Sequence, residues 1–251
     1  MDYTIAENYT LPSLGKIYKV EVNPKIKIRS MTTQDEMKRL STSSEGAYKN
    51  ICDIIDDCLV EKPGISSYDM HLGDYQFLLH KMRIVTYGAD YNLQSSCPYC
   101  ASINSDIINL DDIRVFEYNE SIQKYFEFDL PKSKRHIKLR MQTPRILDEI
   151  QERSKELKRK SPNFVGDPAF LISIEKMIDE VDGKKPNPLN LTDFVKNLPM
   201  MDTNYIIQHC QKINESIGLD VLLHNTCNVC GLDYETRFRA NSEFFGPIID
   251  I

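Results

Sequence analysis

The sequence predicts an α+β fold in which two pseudo-repeated β-hairpins, each turning through Cys-x-x-Cys, are brought together, with helices before and between them. Three observations predict it. Apolar residues fall at helical spacing in some stretches and alternate in others. Capping residues, glycine and proline punctuate those stretches. The segment 88–97 recurs, without a gap, at 218–227.

The bulk properties fit such a fold. A chain of 251 residues with 41% hydrophobic content can bury a real core. The expected organisation is an extended N-terminal arm over 1–30, then a single α+β domain over 31–251 with a helical insertion at about 143–217. A net charge of −6, with acidic and basic residues interleaved, argues against a nucleic-acid surface. Apolar runs fall short of the roughly 18 to 20 residues a membrane span needs, and Met1-Asp2-Tyr3 opens no secretory pattern. A cytosolic protein is expected. In that setting, seven cysteines with paired spacings point to metal before disulfides.

Taken in order, Leu11-Pro12-Ser13-Leu14-Gly15 is turn-rich, and Ile17, Val20, Val22, Ile26 and Ile28 suggest one or two strands. Thr33-Gln34-Asp35-Glu36 has the form of a capping box. Ala47, Ile51, Ile54, Ile55, Cys58 and Leu59 make one helical stripe, ended by Lys62-Pro63-Gly64. Cys52 and Cys58 read as packed small apolar residues. A helix from about Asp74 to Tyr87 stops at Gly88. Strands follow on both sides of Cys97-Pro98-Tyr99-Cys100.

The middle of the chain alternates over 113–118 and 136–142. Thr143-Pro144 then caps a helix running to about Lys160, whose charged second half reads as a solvated face. Asp167-Pro168 opens a helix with Phe170, Leu171, Ile174, Met177 and Ile178 on one stripe, broken at 182–188. A short helix near Thr192 to Leu198 and a longer one from about Asp202 to Ile217 complete this region.

The chemistry lies in the repeat. Each copy reads as helix, glycine, short strand, cysteine turn and return strand, and the turns are Cys97-Pro98-Tyr99-Cys100 and Cys227-Asn228-Val229-Cys230. A two-residue gap lets both thiolates of a pair reach one tetrahedral ion, while turn amides donate to the sulfurs. Each turn supplies half a coordination sphere, so Cys97, Cys100, Cys227 and Cys230 are expected to share one structural Zn²⁺. Two incidental turns and a redox pair are the competing readings, although neither turn has the strand-to-helix setting of a redox motif. His224 could substitute as a ligand; a packed or hydrogen-bonded strand histidine is the other reading. No phosphate loop, His-Glu-x-x-His, Gly-x-Ser-x-Gly or dinucleotide fingerprint is found, so no enzyme is expected. The terminal Phe244-Phe245-Gly246-Pro247-Ile248-Ile249-Asp250-Ile251 is apolar, either tucked into the core or docked on a partner. Phe244 and Phe245 are the candidate partner-binding residues.

Leu11-Pro12-Ser13, Met31-Thr32-Thr33-Gln34-Asp35-Glu36, Asp74 through Gly88 leading to the first cysteine pair, Gln142-Thr143-Pro144, Cys227-Asn228-Val229-Cys230-Gly231 and Phe244-Phe245-Gly246-Pro247 occur in that order. This order resembles the baseplate hub and hub-assembly proteins of T4-like contractile-tailed phages. The resemblance implies a non-enzymatic, chaperone-like assembly factor that binds other baseplate hub proteins in the host cytoplasm. A hub component retained in the virion baseplate is the alternative it also implies. Neither nucleic acid nor membrane is an expected partner. An enzyme with an unmarked active site and a zinc-ribbon nucleic-acid binder are the readings from other classes.

Overall fold

A computed structural model of the chain describes residues 4–41, 46–161, 165–238 and 244–245. It is a mixed helix and sheet fold, and one unit is built twice along it.

The first copy runs β1 (Ala6–Thr10), β2 (Lys25–Arg29), α1 (Thr33–Leu40), α2 (Ala47–Cys58), β3 (Leu59–Glu61), α3 (Leu72–Tyr87), β4 (Asp90–Ser96) and β5 (Ile103–Asn109). A link follows, with the short strand β6 (Val115–Phe116) and a 3-10 turn over Glu120–Tyr125. The second copy runs β7 (Glu127–Asp129), β8 (His136–Leu139), α4 (Pro144–Lys160), α5 (Pro168–Met177) and β9 (Ile178–Val181). It continues through α6 (Pro188–Lys196), α7 (Met200–Glu215), β10 (Gly218–Leu219), β11 (Leu222–Thr226) and β12 (Asp233–Arg237).

The correspondence extends to single bonds. Both three-stranded sheets are antiparallel, ordered β1-β2-β3 and β7-β8-β9. Ile26-Lys27-Ile28-Arg29 matches Ile137-Lys138-Leu139-Arg140, and the register slips at the same step, between Lys27 and Ile28 and between Lys138 and Leu139. Three residues beyond each arginine, Thr32 and Thr143 cap the next helix. Leu11 and Leu130, each followed by proline, are both fully buried. Asp74 in α3 accepts from the Ser13 N–H (2.9 Å) in the β1–β2 loop, and Asp202 in α7 accepts from the Lys132 and Ser133 N–H groups (2.8 and 2.9 Å) in the β7–β8 loop. Tyr9 meets Phe77 edge-on as Phe128 meets Tyr205.

There are two cores, one around Leu11, Ile26, Ile28, Ile54 and Leu78, which also takes in Phe238 and Phe244 from the end of the chain, the other around Leu130, Ile137, Leu139, Ile174 and Ile206. The copies are also joined. Helix α2 begins at Gly46 with no side-chain cap of its own, and Asp148 of α4 accepts from the Tyr48 and Lys49 N–H groups and the Tyr68 hydroxyl. A carboxylate at a helix N-terminus satisfies otherwise orphaned donors and the positive end of the dipole.

Several expectations change. The described part of the 1–30 arm is a sheet edge plus core, because Leu11, Ile26 and Ile28 alternate inward. The stretch at about 143–217, expected as a helical insertion, holds the counterparts of α1 through α3 and the strand β9. The first capping box is Thr32 with Asp35, one residue earlier than expected, since Asp35 also takes the Arg29 guanidinium at 2.7 Å. Ile178 starts β9 and is no longer on the helix. Cys52 and Cys58 are buried as expected, and burial pushes both thiols up to about 12. Among the described residues no helix is long and apolar enough to cross a membrane.

Two buried histidines make a testable demand. His71 uses Nδ1 to cap α3 through the Gly73 N–H (3.0 Å), and His80 bonds the Leu110 carbonyl through Nε2 (2.8 Å). Burial holds both imidazoles down at about 4. Their folded values lie below the unfolded value of about 6.5, so the stability tied to the neutral rings is complete above that pH. It is lost as pH falls toward 4. Between pH 7.5 and 5.5 each should cost about 1 kcal/mol in urea denaturation. Ring proton shifts of the folded protein should stay those of neutral imidazole at pH 5.5.

Candidate metal centre

The two hairpins carry the same geometry. In β4–β5 and in β11–β12, the residue before the first cysteine pairs with the sixth residue after that cysteine: Ser96 with Ile103 and Thr226 with Asp233. Inside each turn, the first cysteine's N–H donates to the carbonyl five residues on, at 2.9 Å (Cys97 to Ser102) and 3.0 Å (Cys227 to Leu232). Its own carbonyl accepts from Ala101 (3.0 Å) or Gly231 (2.9 Å). Both of those residues are left-handed, at φ 59° and 72°.

Alanine at a left-handed position is strained by roughly 1 to 2 kcal/mol, partly offset by the extra unfolded-state freedom of glycine. Ala101→Gly is therefore expected to stabilise the protein by up to about 1 kcal/mol, and Gly231→Ala to cost about as much. Paired denaturant titrations would check both signs.

The alternation of β4 turns Tyr91, Leu93, Ser95 and Cys97 inward. Across the site, Cys97 Sγ lies 3.8 Å from Cys230 Sγ and Cys100 Sγ 3.6 Å from Cys227 Sγ. These two contacts exchange with each other when the hairpins are exchanged, so the site has a local pseudo-two-fold axis. All four sulfurs lie within 4.8 Å of one another and form a group able to hold a metal ion. Cys97 and Cys227 are buried; Cys100 and Cys230 sit at the exposed rim.

The surroundings favour sulfur anions. Cys227 Sγ faces the N–H groups of Val229 (3.4 Å) and Cys230 (3.5 Å), the Ser102 hydroxyl (3.2 Å) and the Asn104 amide (3.8 Å). The Cys230 N–H, then the Ser102 hydroxyl, pull its thiol down to about 5. The Ser102 hydroxyl also lowers Cys100. Cys230 goes the other way: the Leu232 N–H lowers it, but desolvation and the sulfurs of Cys227, Cys100 and Cys97 push it up to about 12. Four sulfurs this close cannot all ionise unaided; a cation among them removes the conflict.

Residues outside the cysteine spacing complete the site. Asn104 Oδ1 accepts from the Asn228 N–H at 2.9 Å, and Ser95 Oγ bonds Tyr234 Oη at 2.6 Å, so each hairpin is tied to the other beside the sulfurs. Asn104 and Tyr234 occupy equivalent inward positions, seven residues after Cys97 and Cys227. Polar residues at inward strand positions were the signal in the sequence.

The other predicted site residues lie elsewhere. His224 is exposed on the outer face of β11, 3.6 Å from Glu235, and is not among the four residues whose ligand atoms cluster. Phe244 and Phe245, the candidate partner-binding residues, are buried within the chain's own core, 1% and 6% exposed. Phe244 stacks on His80 and its carbonyl accepts from Arg83 Nε at 2.7 Å. Residues 246–251 of the apolar tail lie outside the described residues.

A cleft of about 600 Å³ opens between the copies, lined by Tyr18, Ile65, Phe126, Met141 and Ile146. The charged groups at its edge are engaged with one another: Arg145 with Asp69 at 2.6 Å, Lys138 with Glu127 at 2.6 Å, Arg140 with Asp179 at 3.4 Å.

The fold and site define a duplicated α+β protein whose two halves meet at a four-cysteine cluster. Residues 3–246 match the family of T4 bacteriophage base plate proteins, and the chain belongs to that family. No curated protein and no solved structure matches it.

Proposed function

We propose that the chain is a non-enzymatic assembly factor of the phage tail baseplate hub, binding hub subunits through its surfaces. The observation that carries this reading is the family match over 3–246. A structural Zn²⁺ held by Cys97, Cys100, Cys227 and Cys230 is part of it. Zinc–sulfur bonds of about 2.3 Å place tetrahedral sulfurs about 3.8 Å apart, and the cross-hairpin separations are 3.6 and 3.8 Å. Four thiolates leave no open coordination position for substrate. The ion's task is then to hold the hairpins, with the Cys227 amide and hydroxyl donors tuning the sulfurs.

The test is affinity purification from infected cells, with mass spectrometry of mature particles. Hub proteins should co-purify while the chain is absent from the particle. Its retention in the particle would make it a structural hub component instead. Failure to recover any baseplate protein would overturn both roles.

A further inference from the structure

From the surface of the two cysteine hairpins, we infer that they form the docking face for a partner protein that presents apolar sockets on a basic surface. The inference rests on the functional reading above, that this chain binds other baseplate proteins. Six of the sixteen exposed large hydrophobic side chains among the described residues lie on these hairpins. Tyr99 and Val229 occupy equivalent positions in the two turns and are 63% and 73% exposed, and Leu232, at the end of the second turn, is 49% exposed. Ile103 and Ile107 stand on the outer face of β5 at 75% and 73%, paired with the polar Ser96 and Asn92 of β4.

Nothing in the fold requires apolar side chains there. Outer positions of a two-stranded ribbon face water, and β11–β12 fills its outer face largely with polar groups such as His224, Thr226, Asp233 and Glu235. Isoleucines 103 and 107 therefore gain burial only by covering from outside the chain.

Charge selects the partner. Residues 90–109 and 222–236 contain no lysine or arginine, yet carry Asp90, Asp106, Asp233 and Glu235. That is −4 of a total of −6 for the whole chain. Arg237, at the base of β12, is engaged with Glu215 at 3.1 Å. The apolar tips thus sit in a negative field, which repels nucleic acid and steers a basic protein surface toward them. The duplication adds that the tip is presented twice, around the pseudo-two-fold axis through the sulfurs.

The experiment measures binding of the full-length chain to the phage's baseplate hub proteins, each purified and tested singly by biolayer interferometry. Ile103→Ser with Ile107→Ser, and separately Asp106→Lys with Glu235→Lys, should each weaken the bound partner by about tenfold or more while metal content and melting temperature stay unchanged. Met37→Ser with Leu40→Ser serves as control, since these α1 residues are just as exposed at 65% and 70%; affinity should hold within about twofold. Raising salt from about 50 to 500 mM should weaken wild-type binding several-fold. Binding that survives both hairpin pairs, or is lost in the α1 pair instead, overturns the docking face and leaves the functional reading standing. Wild-type protein that binds no hub protein overturns the functional reading, and the docking face with it.

Discussion

With the proposed Zn²⁺ at the four-cysteine cluster, chelating that ion or replacing Cys97 or Cys227 by serine is expected to lower the melting temperature by about 10 °C or more, the larger of the effects foreseen for this molecule. Structural zinc contributes roughly 10 to 16 kcal/mol in peptides that have no other core. Here the chain packs two cores and the copies meet at other places, such as Asp148 on the start of α2, so only part of that energy is needed for folding. A loss on the order of 4 to 5 kcal/mol remains, since four crowded sulfurs without a cation must take up protons and the ribbons β4–β5 and β11–β12 are two strands each. At about 2 to 4 °C per kcal/mol for a chain of this size, the shift is well above measurement error. The pseudo-two-fold arrangement adds a second demand. Cys97→Ser and Cys227→Ser should both lower the melting temperature, because each is the inner sulfur of its hairpin. Elemental analysis should give about one zinc per chain in the wild type and less in both variants. Metal-free protein that melts at the wild-type temperature would refute the structural role.

How much of this was legible in the sequence depended on how local each requirement is. The cysteine turns were legible because two thiolates reach one ion only at a short fixed spacing, and Gly88 and Gly218 because a positive φ selects glycine. The rest of the duplication was hidden by loop length. Leu11 matches Leu130 at an offset of 119, Ile26 matches Ile137 at 111, Asp74 matches Asp202 at 128, and only from Gly88 and Gly218 onward is the offset a constant 130. Chemistry hides it further, since α2 borrows Asp148 as its cap whereas α5 uses its own Asp167. The end of α5 was misplaced because Met177 passes straight into β9 with no glycine or proline between, as Cys58 passes into β3. Phe244-Phe245 could not be decided locally at all. A diphenylalanine near a terminus suits a core or a partner equally, and what decides is Arg83, 161 residues away, reaching the Phe244 carbonyl.

The second large effect separates two glycines that look alike. Gly88 and Gly218 stand at equivalent points of the repeat with φ of 89° and 107°, but only at Gly218 would an added Cβ meet another backbone. A Cβ on Gly218 would lie 2.7 Å from Gly73 Cα and 2.9 Å from its carbonyl oxygen, while a Cβ on Gly88 would meet nothing within 4 Å. Gly88→Ala should thus cost only the backbone strain, roughly 1 to 3 kcal/mol. Gly218→Ala adds overpacking of about 1 to 3 kcal/mol, for a total near 4 kcal/mol and a melting shift of about 10 °C. Gly73 gives the sharper test. It lies in the first turn of α3 with helical backbone, where alanine would ordinarily help by a few tenths of a kcal/mol or more. Its Cβ, however, would fall 2.1 Å from the Ile217 carbonyl oxygen. Backbone cannot rotate away as a side chain can, so the clash should outweigh propensity and Gly73→Ala should destabilise by more than about 2 kcal/mol. Thermal denaturation of the three single variants decides it: an increase in stability for Gly73→Ala, or equal losses for Gly88→Ala and Gly218→Ala, would mean that α3 and the strand entering the second hairpin are not in backbone contact.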